Sequence, residues 1–365
     1  MVRRLLSAIA ALMMLVAAAP AMAAEEPVVR VLNWSDYIDD TVLSDFTRET
    51  GIKVVYDVFD SNDVLETKLL AGGTGYDLVF PSANFLARQI QAGVFAELDK
   101  SKIPNWKNLD PEMMQRVSRF DPGNAHAAIY MWGTTGLAYN EQMIKERMAD
   151  APVDSWRLIF DPEVVKRFAD CGVYMLDAPD EMVPAALNYI GEEPDSKDAK
   201  VIAKAEPVLA AVRPFIRKFH SSENINALAN GDICLAVIWS GDAGIAATRA
   251  EEVGKDFEIR YVIPKEGAQT FFDMMAIPTD APHPNNAHAF IDFILRPDVI
   301  ARITNYVTYP NAVPASLPMV DPEIVNNPMI FPPPEVKEKL FLVTPHDQRT
   351  QRILTRLWQR VLTGS

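Results

Sequence analysis

The strongest constraint on the fold is an alternation that begins at Val28. Val28–Leu32 is an apolar, β-branched run, and Thr41–Thr50 follows with Val42, Leu43 and Phe46 on one helical face before Gly51. Ile52–Tyr56 reads as a second strand, Asp63–Leu70 as a helix opened by a capping-box-like Asp63 and Glu66 and ended by Gly72 and Gly73, and Tyr76–Phe80 as a third strand leading into helix Phe85–Ala92. Strand and helix in regular turn mean a parallel sheet with crossover helices, because a parallel neighbour is reached only through a long connection. In such sheets ligands collect beyond the carboxyl ends of the strands.

Those ends carry unusual chemistry. Asn33-Trp34-Ser35-Asp36-Tyr37 follows the first strand, Trp239-Ser240-Gly241-Asp242 follows Ile233–Ile238, and Phe271-Phe272-Asp273 opens another extended run. Any one of these taken alone reads more readily as a core aromatic beside a helix-capping acid. Three repeats at strand ends favour an aromatic-walled pocket for an organic cation, since aromatic faces attract cations and carboxylates neutralise them.

The first residues bear on compartment. Arg3 and Arg4, the apolar run Leu5–Ala19 and Ala21-Met22-Ala23 have the form of a cleaved secretory signal over residues 1–23, too short to span a membrane comfortably. The net charge of −14, or −16 without Arg3 and Arg4, argues against nucleic acid and anionic membranes as partners. Two cysteines in an exported chain read as one disulfide, Cys171 with Cys234, against the alternative of two buried thiols. Each introduces an apolar strand-like segment, and those segments can be sheet neighbours.

Further along, Ala127–Tyr139 reads as two extended pieces with a flexible break at Gly133-Thr134-Thr135-Gly136, either a crossing between domains with the glycines as hinge positions or, equally, an ordinary β-turn. Leu176 leads into a helix that starts at Pro179 with Glu181 in its first turn, and Asp198–Val212 reads as one helix. Tyr306–Tyr309 reads as extended, 314–334 as a proline-rich surface loop, and Thr350–Leu362 as an amphipathic helix. His126, His220, His283, His288 and His346 show no metal-ligand spacing, and there is no nucleophile elbow or phosphate-binding loop, so neither metal nor cofactor is expected. A carboxylate-based secreted hydrolase stays open as an alternative, because sequence gives no distance between acids.

Several segments together resemble the periplasmic polyamine-binding proteins of bacterial ABC importers, closest to the putrescine-binding branch. They are Asn33–Tyr37, Tyr56–Asn62, Phe80-Pro81-Ser82, Tyr130–Gly136, Leu176–Pro179, Asn230–Cys234, Trp239–Asp242 and Pro264–Ala268, in order through the mature chain. The resemblance implies a type II α/β binding-protein fold, two lobes each with a mixed, mostly parallel sheet, and a ligand cleft between them. It places lobe 1 at 26–130 plus 249–300, lobe 2 at 135–244 plus 304–365, and hinges near 130–135, 244–249 and 300–304. It implies that Trp34, Tyr37, Trp239, Phe271 and Tyr309 wall the methylene chain, that Ser35, Asp242 and Asp273 hold one amine, and that Ser82 and Glu181 hold the other. Asp36 falls where the family tunes ligand choice, and Cys171 and Cys234 match the family's paired cysteines. One departure is Ile129, where relatives often carry proline. The implied role is that of a monomeric periplasmic protein that captures putrescine, or spermidine as the main alternative, and presents it to a membrane permease.

Overall fold

The computed structural model describes residues 25–364; the expected signal at 1–23 lies outside them. Ten strands run β1 (Val28–Trp34), β2 (Lys53–Phe59), β3 (Leu78–Val79), β4 (Ala127–Asn140), β5 (Val173–Met175), β6 (Lys218–Phe219), β7 (Leu235–Trp239), β8 (Ile259–Val262), β9 (Ala268–Ala276) and β10 (Leu340–Phe341). Their order is β2-β1-β3-β9-β4-β7-β5-β6, with β10 on β9 and β8 on β4. The β2-β1-β3 and β7-β5-β6 ends are parallel, as the alternation predicts. Antiparallel β9 and β4 join them.

Local sequence explains the individual elements. Helix Asp40–Thr50 is capped by the Asp39 side chain, which accepts from the Thr41 N–H, and it stops at left-handed Gly51. Val42 and Phe46, one turn apart, are wholly buried, and burying such a phenylalanine is worth about 2–3 kcal/mol. The next helix begins earlier than Asp63: Ser61 is its cap, accepting from the N–H groups of Asp63 and Val64, and it spans Asn62–Ala71. The single helix expected over 198–212 is two, Ala199–Ile202 and Ala205–Val212. Pro207 explains the break, since it has no N–H and fits only a first turn. The proline-rich region contains short helical turns, Pro314–Met319, Pro322–Val325 and Pro334–Lys337, each with proline in its first turn. Tyr306 is not extended; it lies in the last turn of helix Pro297–Val307, after which Thr308 turns left-handed at φ 54°.

The buried side chains form two hydrophobic cores, the first of which also covers one face of β7. The first gathers Val31, Phe46, Leu78, Tyr130 and Phe290; the second Trp156, Phe168, Leu187, Leu235 and Trp358. Strand β4 belongs to both. Its residues 127–134 pair with β9, and 135–140 pair with β7 and β8. The expected break at Gly133–Gly136 is therefore absent: the strand is continuous and buried at all fourteen positions. The glycines serve close approach instead. A Cβ on Gly133 would lie 2.8 Å from the Phe271 ring, and one on Gly136 2.4 Å from the Val262 carbonyl oxygen. The register shifts between Ile129 and Met131, a bulge that aims the Tyr130 hydroxyl at the Tyr37 carbonyl, 2.6 Å away. The segments 244–249 and 300–304, read as hinges, fall inside the uninterrupted helices Ser240–Glu252 and Pro297–Val307. The chain crosses at β4, again at β9, and last after Val313 to reach helix Gln348–Thr363 in the second core.

Cys171 and Cys234 are disulfide-bonded, two residues and one residue before the parallel neighbours β5 and β7. The bridge closes a loop between residues 63 apart in sequence. The chain-entropy relation gives about 4 kcal/mol for a loop of that length. Replacing both cysteines with alanine is expected to lower unfolding free energy by about that amount, measured by urea denaturation against the oxidised wild type.

Candidate functional site

The cleft begins where β1 and β2 end together. Trp34 pairs in register with Phe59, and their rings lie 4.4 Å apart. Trp34 is locked by its indole N–H, which donates to the Phe80 carbonyl at 2.8 Å. The Ser35 N–H donates to the Phe59 carbonyl at 3.0 Å. Asp36 then adopts φ 55°, a left-handed turn that aspartate tolerates, and the reversal lets Tyr37 return to the cleft.

From Trp34 the aromatic wall continues across the opening. Trp239 meets its edge at 5.5 Å, Phe271 lies 6.3 Å from Trp239, Tyr309 lies 6.3 Å from Phe271, and Tyr37 packs against Tyr309 at 4.9 Å. Tyr309 fits because its neighbour is glycine: a Cβ on Gly241 would sit 2.1 Å from its ring.

Into this wall are set acids oriented by neutral donors. Asp273 accepts from the Tyr37 hydroxyl at 2.7 Å and from the Ser82 hydroxyl at 2.6 Å. Ser82 is steadied in turn by Asn62. Asp242, in the first turn of helix Ser240–Glu252, accepts from the Tyr309 hydroxyl at 2.8 Å. Because Tyr37 and Tyr309 touch, Asp242 and Asp273 share one end. Glu181, in the first turn of helix Pro179–Tyr189, accepts from the Trp239 indole N–H at 2.9–3.0 Å and from the Thr135 hydroxyl. Ser82, which the sequence comparison grouped with Glu181, is thus bonded to Asp273.

About 630 Å³ of open space lies between these groups. Ten of the eleven residues singled out from sequence line it. The exception is Asp36, which faces outward in an ion pair with Arg249 at 2.5 Å. Asp180, Gln269, Ser221 and Ile225 also line the cleft and were missed. Asp180 had a signal, sitting beside Glu181 in the same first turn; the other three had none.

No lysine, arginine or histidine lines this space. Burial accordingly pushes the carboxyls up, Asp273 to about 6 and Asp180, Glu181 and Asp242 to about 7. The donors from Ser82 and Tyr37, from Thr135 and Trp239, and from Tyr309 oppose the rise without cancelling it. A cluster of this kind attracts a cation with two or more charges, whose arrival replaces protons. Among the described residues no group of His, Cys, Asp and Glu is arranged to hold a metal ion.

A mixed α/β fold of this strand order with an anionic, aromatic-walled cleft is that of a type II solute-binding protein. The chain matches the bacterial extracellular solute-binding protein family over residues 41–332 and belongs to it. It is 50% identical over 345 residues to the putrescine-binding periplasmic protein SpuD of Pseudomonas aeruginosa, covering 94% of each chain. It is also 50% identical to the putrescine-binding periplasmic protein PotF of Escherichia coli, covering 94% of this chain and 93% of PotF. Among solved structures, a putative spermidine/putrescine ABC transporter from Listeria monocytogenes superposes with a TM-score of 0.83 at 30% identity, over 92% of this chain and 99% of that one. These relatives bind solutes for transport and are not enzymes, so the hydrolase alternative is set aside.

The raised carboxyls give a signed pH dependence. Between the unfolded value near 4 and the folded value near 7, the folded ligand-free protein holds more protons than the unfolded chain. Stability is therefore greatest at the acid side of that window and falls as pH rises, by at most about 1.4 kcal/mol per pH unit per group. Thermal unfolding from pH 5 to 8 is expected to show Tm falling, and Asp242→Asn to flatten the slope.

Proposed function

We propose that the protein captures a linear diamine, putrescine first, in the cleft and delivers it to an ABC importer from the periplasm. The observation that carries this reading is a cleft walled by aromatics, lined by the buried carboxylates of Asp180, Asp242 and Asp273 and the partly buried one of Glu181, and without a basic side chain. The names of the relatives SpuD and PotF support putrescine and the periplasm.

On this reading Asp242 and Asp273 hold one ammonium, with Ser35 at the rim of that end. Glu181 holds the other. Trp34, Tyr37, Trp239, Phe271 and Tyr309 shield the methylenes and face the charges with their rings. Ser82 orients Asp273 rather than contacting the distant amine. Asp36 acts at the mouth through Arg249, which is carried on helix Ser240–Glu252. The two lobes close because the ligand gains contacts with both, and the closed shape is what a permease reads. The crossings that bend are β4 and β9.

Calorimetric titration of ligand-stripped protein with putrescine, cadaverine, agmatine and spermidine tests the reading. Putrescine is expected to bind, and absence of heat with every diamine rejects the proposal. Glu181→Gln and Asp273→Asn each leave an ammonium facing a neutral group and are expected to cost about 2–5 kcal/mol, thirty-fold or more in Kd. Binding at pH 6 should release protons, seen as heats that vary with buffer ionisation enthalpy. Affinity should weaken on acidification below pH 7, because the protonated acids must first ionise.

A further inference from the structure

The cleft has an arm that a diamine does not need. Past Trp34 and Trp239 it continues into an adjoining pocket of about 300 Å³ bounded by Asp60, Asp63, Asp177 and Asp180, again with no basic side chain in its walls. Asp180 lines both spaces. It is 4% exposed, and neither of its carboxylate oxygens has a hydrogen-bond partner at bonding geometry. An arm like this offers an anionic seat for a third ammonium.

Behind its wall stands Arg88, on helix Ala83–Gln91 of the first core. Glu66 grips the guanidinium with two hydrogen bonds, at 2.5 and 2.7 Å, and the Phe85 ring lies 3.9 Å beneath it. Its remaining edge donates to the Gln351 side-chain oxygen at 3.0 Å, on the C-terminal helix that packs into the second core. The arginine is thus fixed in place and spans the two halves. Its charge reaches Asp180 and Asp63, holding both carboxyls below where burial alone would put them. A second cation brought to Asp180 would meet Arg88 as a like charge.

We infer that Arg88 is a specificity-determining residue: its fixed guanidinium serves as the counter-charge of Asp180, so that the cleft accepts a linear dication and disfavours a trication. The inference rests on the diamine reading. It goes beyond it in giving a residue outside the ligand cavity control over how many ligand charges are admitted.

The test is calorimetric titration of ligand-stripped wild type and variants with putrescine and with spermidine. In Arg88→Met the ratio of spermidine to putrescine affinity is expected to rise at least tenfold. Arg88→Lys keeps the charge and should stay within threefold of the wild-type ratio. In an Asp180→Asn background, adding Arg88→Met should shift the ratio no further. An unchanged ratio in Arg88→Met, a parallel loss of both affinities, or equal shifts in the methionine and lysine variants overturns the inference. Should Arg88→Met fail to fold with Glu66 left unpaired, the double variant Glu66→Gln/Arg88→Met carries the same expectation and the same refutation. A wild type that binds no polyamine refutes the diamine reading itself. A wild type that binds, with an unaltered ratio in the variant, refutes only the role of Arg88.

Discussion

Uncompensated negative charge in a closed, aromatic space is the condition on which this molecule turns. Asp242, Asp273 and Glu181 each receive hydrogen bonds from neutral groups, and none is given a cation. Hydroxyls and an indole aim the oxygens without consuming their charge. Such an arrangement is costly when empty, because buried carboxylates either take up protons or remain poorly solvated. That cost is the source of selectivity: a neutral or anionic solute of the same length relieves none of it.

The fold makes this arrangement possible by bringing acids from separate stretches of chain to one place. Glu181 and Asp242 begin helices that follow β5 and β7, whereas Asp273 lies within β9, which pairs with β3 and β4. Their supports cross in the same way: Tyr37 belongs to the turn after β1, Tyr309 to the segment after helix Pro297–Val307, and Trp239 closes β7. Each carboxylate therefore reports on the relative position of at least two elements. Gly133 and Gly241 permit the close packing this demands, and alanine at either would press on Phe271 or Tyr309.

Much of this was legible in the chain itself. Apolar period and turn residues gave the α/β alternation, and the aromatic–acid pairs marked strand ends because both chemistries recur there. Ten of the eleven residues singled out line one cavity. What escaped were features set by tertiary packing. Gly133 and Gly136 looked like a hinge, since sequence does not distinguish a glycine needed for freedom from one needed for space. The segments 244–249 and 300–304 lie inside continuous helices, and the strands that join the two parallel ends are β4 and β9. Asp36 looked like a cleft residue until its left-handed turn carried it outward to Arg249. Gln269 and Ile225 carry no local mark; only the three-dimensional path brings them to the wall.

The continuity of β4 has a mechanical consequence. A single strand joining the two parallel ends cannot act as a door pivot, since its backbone is hydrogen-bonded to neighbours along both of its halves. Relative movement of the halves has to be taken up as torsion spread over several peptide units, like a bar clamped at each end and twisted. Such an element stores elastic energy that rises with the square of the angle turned, and it favours a limited swing with a reproducible return.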